Sequence, residues 1–154
     1  MGSYPPGQQN PIILRVSAAL LGAGAWDATP LIVPVIGFDT MSLFFAYTRG
    51  GAGGAFDWYL EGSPYSADIA APLSSWFQST LYAPAILAAG IDSQSRLQRE
   101  FFTYQATGAG IESLVYGAVR LIGTVERLRL FARESGNVGV PGILHVVAAA
   151  MKGA

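Results

Sequence analysis

The sequence contains no cysteine, a single histidine (His145) and a single lysine (Lys152). Without cysteine there are no disulfides and no thiolate chemistry, and the redox compartment stays open. A metal centre needs several ligands, and a serine or cysteine nucleophile needs a base held by a third group. His145, between Leu144 and Val146, has no such company in the sequence and reads as a packing residue. Charge of both signs is scarce. Asp, Glu, Lys and Arg make up 12% of the chain, against about 25% in ordinary soluble domains. The net charge of -1 gives no general pull toward nucleic acid, and the near absence of lysine argues further against it. Long uninterrupted apolar runs are missing too. Ile69–Ile91 carries no charge, but Pro72, Pro84, Gln78 and several serines interrupt it, whereas a spanning helix needs about 20 predominantly apolar residues. No basic residue precedes Ile12 and Arg15 falls inside the first apolar run, so no secretory leader is expected.

What is present is apolar: 51% of 154 residues. That length suits one domain with a proper core. A soluble monomer ordinarily needs a charged, patch-free surface, so a chain this poor in charge is expected to cover part of its outside with other protein subunits. Residues 1–11 hold three prolines and two glycines and predict an extended arm, ahead of a single domain over 12–154. Ile12–Leu21 suits a strand or a short helix, and the alternation of Ile12, Leu14, Val16 and Ala18 against Arg15 and Ser17 favours the strand. Leu31–Ile36 is β-branched, and Pro34 confines it to an edge or a bulge. Thr40–Arg49 and Ala55–Glu61 predict a hairpin around Gly50–Gly54, with Phe56, Trp58 and Leu60 facing the core. On the first of these strands Phe44 and Ala46 oppose Leu43, Phe45 and Tyr47, so both faces are expected to be covered. Ser74–Gly90, with Trp76, Phe77, Leu81 and Tyr82, gives no firm assignment. Arg99–Ala106 and Leu114–Ile122 read as strands.

The stretch Thr124–Met151 carries the clearest pattern. Leu128, Leu130 and Ala132 fall on one face of a period-two segment, and Arg127, Arg129, Phe131 and Arg133 on the other. Ser135–Gly142 then forms a loop and a second apolar run returns, which predicts another hairpin. Seven or eight short strands between Gly/Pro turns argue for an all-β fold: an antiparallel β-sandwich, jelly-roll-like, with the extended N-terminal arm.

Motifs that carry chemistry are few. Gly50–Gly54 lies between two strands, and neither it nor Thr107–Gly110 carries the lysine of a phosphate cradle, so both predict turns. Asp57 and Glu61 lie on one strand face, where glycosidase carboxylates can be found but solvated charges are commoner. Arg127, Arg129 and Arg133 form a row of guanidinium forks suited to carboxylates of a neighbouring subunit, or to Glu100, Glu112 or Glu126 of the same one. Tyr59, Trp76, Phe77 and Tyr82 suit either a carbohydrate platform or an interface core, and the low charge favours the interface.

The segment Val125–Val146, Val-Glu-Arg-Leu-Arg-Leu-Phe-Ala-Arg-Glu-Ser-Gly-Asn-Val-Gly-Val-Pro-Gly-Ile-Leu-His-Val, resembles the C-terminal segment of small β-sandwich virion proteins of tailed bacteriophages. Phe44–Glu61 is similar in kind to their central hairpin. The resemblance implies a capsid decoration (cement) protein: a dimer or trimer on the capsid surface of the virion, made in the host cytoplasm, that clamps neighbouring major capsid subunits. Expected contact residues are Tyr4, Pro5 and Pro6 of the arm, with Phe45, Tyr47, Trp76, Phe77, Arg127, Arg129, Phe131 and Arg133. It implies no catalysis, cofactor, metal, nucleic acid or membrane. Tail, neck and fibre proteins use similar sandwiches, and a carbohydrate-binding module is the other expectation.

Overall fold

The computed structural model describes residues 11–35, 37–38, 40–65, 76–78, 101–120 and 125–151. Among the described residues nine strands run in chain order: β1 Ile12–Ala19, β2 Val33–Pro34, β3 Thr40–Thr48, β4 Ala55–Ser63, β5 Phe77–Gln78, β6 Phe102–Gln105, β7 Glu112–Arg120, β8 Arg127–Glu134 and β9 Ile143–Met151. No helix among the described residues is long and apolar enough to cross a membrane. The strands form two antiparallel sheets. Sheet A has the order β1-β9-β3-β7; sheet B has β2-β8-β4-β5, with β6 also paired to β4. Successive strands alternate between the sheets except from β4 through β5 to β6, as in a jelly roll. Its all-β sandwich architecture is the one that the alternation of apolar residues predicts.

Period-two patterning sets the inner faces. Met41, Leu43, Phe45 and Tyr47 of β3 and Leu144, Val146 and Ala148 of β9 meet Phe56, Trp58 and Leu60 of β4 and Leu128, Leu130 and Ala132 of β8. Aromatic rings lock the middle: Phe45 lies 5.6 Å from Phe56 and 4.9 Å from Trp58, and Tyr47 lies 4.9 Å from Phe56. Such pairs add about 0.5–1.5 kcal/mol each beyond their buried area. Phe45 and Tyr47 are 2% and 0% exposed. They belong to this core and present no surface to a partner, which corrects their assignment as contact residues.

Neither expected hairpin forms. β3 pairs with β7 and β9, while β4 pairs with β5, β6 and β8. Gly50–Gly54 therefore carries the chain across from sheet A to sheet B, and residues 135–142 carry it back from β8 to β9. Alternation specifies which side chains point inward, and a strand pair in one sheet or an arch across two satisfies it equally. β1 also departs from simple alternation. Its register with β9 shifts twice, between Ile13 and Arg15 and between Arg15 and Ala18, so Leu14 is buried whereas Val16 is 54% exposed. Pro34 does lie on an edge strand, β2. Residues 1–10 of the expected arm lie outside the described residues, as do Leu81 and Tyr82.

The two arches meet at one end of the sandwich around the fully buried carboxylate of Glu134. Its Oε1 accepts from the Tyr47 hydroxyl at 2.7 Å and the Gly142 N–H at 2.9 Å. Its Oε2 accepts from the N–H groups of Ala55 at 2.9 Å, Gly136 at 3.1 Å and Asn137 at 3.2 Å. These five donors come from both sheets and from the arch between β8 and β9. The arch backbones also touch: a methyl group at Gly136 would strike the Gly53 carbonyl, and one at Gly50 would strike that of Val140.

Glu134→Ala is expected to lower the free energy of unfolding by on the order of 3 kcal/mol, since several buried donors lose their acceptor. Glu134→Gln should also destabilise, because its amide N–H₂ faces N–H donors; urea denaturation measures both. Burial and the hydrogen bond to Glu134 raise the Tyr47 pKa above the ordinary phenol value. The folded chain thus keeps this proton where the unfolded chain has lost it, so the contribution is whole below about pH 10 and falls as the pH climbs beyond it. Denaturation curves between pH 8 and 11 should show that decline, with a shallower slope for Tyr47→Phe.

Candidate functional site

The outer face of sheet B is built from cross-strand pairs. Antiparallel register sets Asp57 opposite Arg133, Tyr59 opposite Phe131 and Glu61 opposite Arg129. Side chains directly opposite on one face are close enough to interact, and here all three pairs do. Arg133 Nε donates to Asp57 Oδ2 at 2.8 Å. Arg129 Nε and Nη2 donate to Glu61 Oε2 at 2.8 and 2.5 Å. The Tyr59 and Phe131 rings stack at 4.9 Å with an interplanar angle of 13°.

A second layer lies over this ladder. Trp26 packs edge-on against Tyr59 at 4.7 Å and Phe101 at 5.8 Å, and the Arg133 guanidinium sits 4.4 Å from the Trp26 ring centre. At the other end Trp76 lies 4.2 Å from the Arg129 guanidinium and 4.8 Å from that of Arg127. Arg127 also donates to the Tyr65 carbonyl. Arginine suits this setting because its flat, weakly hydrated cation stacks on rings while its edge makes hydrogen bonds.

Several sequence expectations change under this layer. Asp57 and Glu61 are buried rather than solvated. Arg129 forms an ion pair with Glu61 and Arg133 with Asp57, both carboxylates of the neighbouring strand. Glu112 instead caps the turn before β7, accepting from Thr107, Gly108 and Tyr104. The Thr107 hydrogen bonds hold its carboxyl below the usual carboxylate range. Tyr59 is 3% exposed, so it offers no sugar-stacking platform. Trp76 is part-exposed within the arginine row, and Phe77 lies in β5 opposite Gly62. The structure thus brings together Trp76, Arg127, Arg129, Phe131 and Arg133. Trp26 and Phe101 complete the face, and nothing in their local pattern marked them. Tyr4, Pro5 and Pro6 fall outside the described residues.

The outer face of sheet A has the opposite character. Register aligns Ile13 with Val147, Val147 with Phe44 and Phe44 with Val115, giving an apolar row across all four strands. Ile13, Phe44 and Val115 are 49%, 41% and 62% exposed. Alongside run Ser42, Ala46, Thr48, Ser113, Ile143, His145 and Ala149, with no carboxylate, lysine or arginine among them. β3 is thus covered on its core face only, and His145 packs among strand neighbours on the outer one.

A cleft of about 210 Å³ lies between β1 and residues 27–31, below the roughly 300–1,000 Å³ of typical ligand pockets. Its charged pair is structural. Arg15 donates from Nε and Nη2 to Asp27, from Nη1 to the Ala18 and Leu144 carbonyls, and from Nη2 to that of Ala19. Asp27 in turn accepts from the Ala132 N–H. These bonds brace the irregular β1. Among the described residues no group of three or more His, Cys, Asp or Glu is placed to hold a metal ion.

No protein-family model matches the chain, and no curated protein matches it in sequence. The physical features of the two faces therefore carry the functional reading.

Arg129→Ala removes an ion-pair partner from the buried Glu61 and should lower stability by about 1–3 kcal/mol. The double change Arg129→Met with Glu61→Leu should lower it by less than the sum of the single losses, since an apolar pair of similar volume needs no counter-charge. Urea denaturation of the four proteins of this cycle measures the coupling.

Proposed function

We propose that this chain is a structural virion protein: a jelly-roll subunit that decorates a phage capsid, associates with copies of itself and clamps neighbouring major capsid subunits. The observation that carries the reading is the exposed row Ile13–Val147–Phe44–Val115, flanked by Ser42, Ala46, Thr48, Ser113, Ile143 and Ala149. Exposed contiguous apolar surface of this kind marks protein contacts. An apolar row can meet another copy of itself without like charges opposing. The jelly roll is among the architectures used by viral capsid proteins, though also by lectins. The buried position of Tyr59 removes part of the support for a carbohydrate module.

Four strands about 4.8 Å apart and nine residues at about 3.3 Å each give a face on the order of 500 Å². Stable pairwise interfaces cover about 800 Å² per partner. One such contact is weak by itself, and repeated contacts on a particle supply the remainder through avidity.

Native mass measurement of the purified chain, alone and with capsid shells, tests the reading. Oligomers and binding to shells are expected, with Phe44→Glu or Val115→Glu reducing both by tenfold or more while leaving the fold intact by circular dichroism, about 1.4 kcal/mol per tenfold. A wild-type chain that stays monomeric at high concentration and ignores the shells overturns the assignment.

A further inference from the structure

Arg133 is held differently from the other arginines of its row. Its Nε edge is taken by Asp57, whose other oxygen accepts from Thr103 at 2.7 Å. Its guanidinium carbon lies 4.4 Å from the Trp26 ring centre and 4.8 Å from that of Phe101. The terminal Nη1 and Nη2 groups have no acceptor among the described residues, and the side chain is 29% exposed. Phe101 beside it is 43% exposed, while Trp26 rests on the buried Tyr59. The guanidinium is thus fixed by a carboxylate behind it and rings beside it. What it presents outward is the edge that suits two parallel hydrogen bonds.

We propose that this edge is a receptor for a carboxylate carried by a partner protein: an aspartate or glutamate side chain, or a chain terminus, whose stem packs on Phe101. The planar fork matches a carboxylate in a bidentate way. The two rings beside the guanidinium lower the local dielectric, which strengthens charge-assisted bonds. Asp57 close behind favours a singly charged ligand over a phosphate dianion, since it repels the second charge. The arm of a Glu or Asp side chain is also short enough to lay its methylenes on the exposed Phe101 ring. This inference rests on the assembly reading only for the identity of the carrier, because the site lies on sheet B and contacts through the sheet A row leave it open.

The test is a titration of the full chain with acetyl-Gly-Glu-Gly-amide, acetyl-Gly-Gln-Gly-amide and inorganic phosphate, followed by the NMR signals of Arg133 Nε–H and Trp26 Nε1–H. The glutamate peptide should shift both signals and saturate, binding roughly tenfold more tightly than the glutamine peptide, as expected for a bidentate charge-assisted pair. Phosphate should bind more weakly than the glutamate peptide. Arg133→Lys keeps the charge and loses the fork, so the preference should disappear. Because that change also disturbs the buried Asp57, Phe101→Ala provides a variant that leaves the ion pair intact and should weaken binding about threefold through lost packing. Equal responses to the glutamate and glutamine peptides, phosphate binding at least as tight, or an unaltered Phe101→Ala would each overturn the proposal. Oligomers that form while the glutamate peptide fails to bind overturn this inference and leave the assembly reading standing. A binding-competent chain that never assembles does the reverse.

Discussion

A carboxylate sealed inside an apolar sandwich is tolerable only when its oxygens are fully engaged, and Glu134 meets that condition by drawing on both sheets. The Tyr47 hydroxyl comes from sheet A, the Ala55 N–H from the start of β4 in sheet B, and the remaining donors from the loop that leads to β9. The loops of an arch carry backbone N–H groups that no sheet ladder can satisfy. Glu134 supplies the acceptor for several of these at once. The placement of the two arches, and with it the facing of β3 against β4 and of β8 against β9, depends on this one side chain.

With the sheets fixed in that relation, the outer faces follow from cross-strand register. On sheet B the register sets acids of β4 opposite arginines of β8, so the scarce charges neutralise one another under aromatic cover. On sheet A the register aligns one apolar residue from each of four strands. On the first face the acids are buried beneath the arginines and rings; the second is open along its row. The two outer faces thus differ in kind, one carrying an exposed apolar row and the other paired charges packed against aromatic rings.

Much of the inner architecture was legible in the residues. Leu128, Leu130 and Ala132 face inward, as do Phe56, Trp58 and Leu60, because a pleated strand sends alternate side chains to opposite sides whatever lies next to it. The position of Pro34 on an edge strand was equally readable, since proline cannot donate to a ladder. The candidate site was legible in part. The arginines were visible as a row, but their partners Asp57 and Glu61 were expected in solvent. Burial of those carboxylates depends on Trp26, Trp76 and Phe101, whose approach is set by distant parts of the chain.

Composition and alternation by themselves determined an all-β chain with a large apolar share, too little charge to coat its whole surface and an identifiable inward set on most strands. Tertiary structure alone decided that neighbouring strands form arches instead of hairpins, that Phe45 and Tyr47 are interior, and that Ile13, Val147, Phe44 and Val115 align. The reason is that periodicity is a property of one strand, whereas sheet membership and register are relations between strands. Those relations are settled where long-range contacts, such as the donors gathered on Glu134, favour one pairing over another.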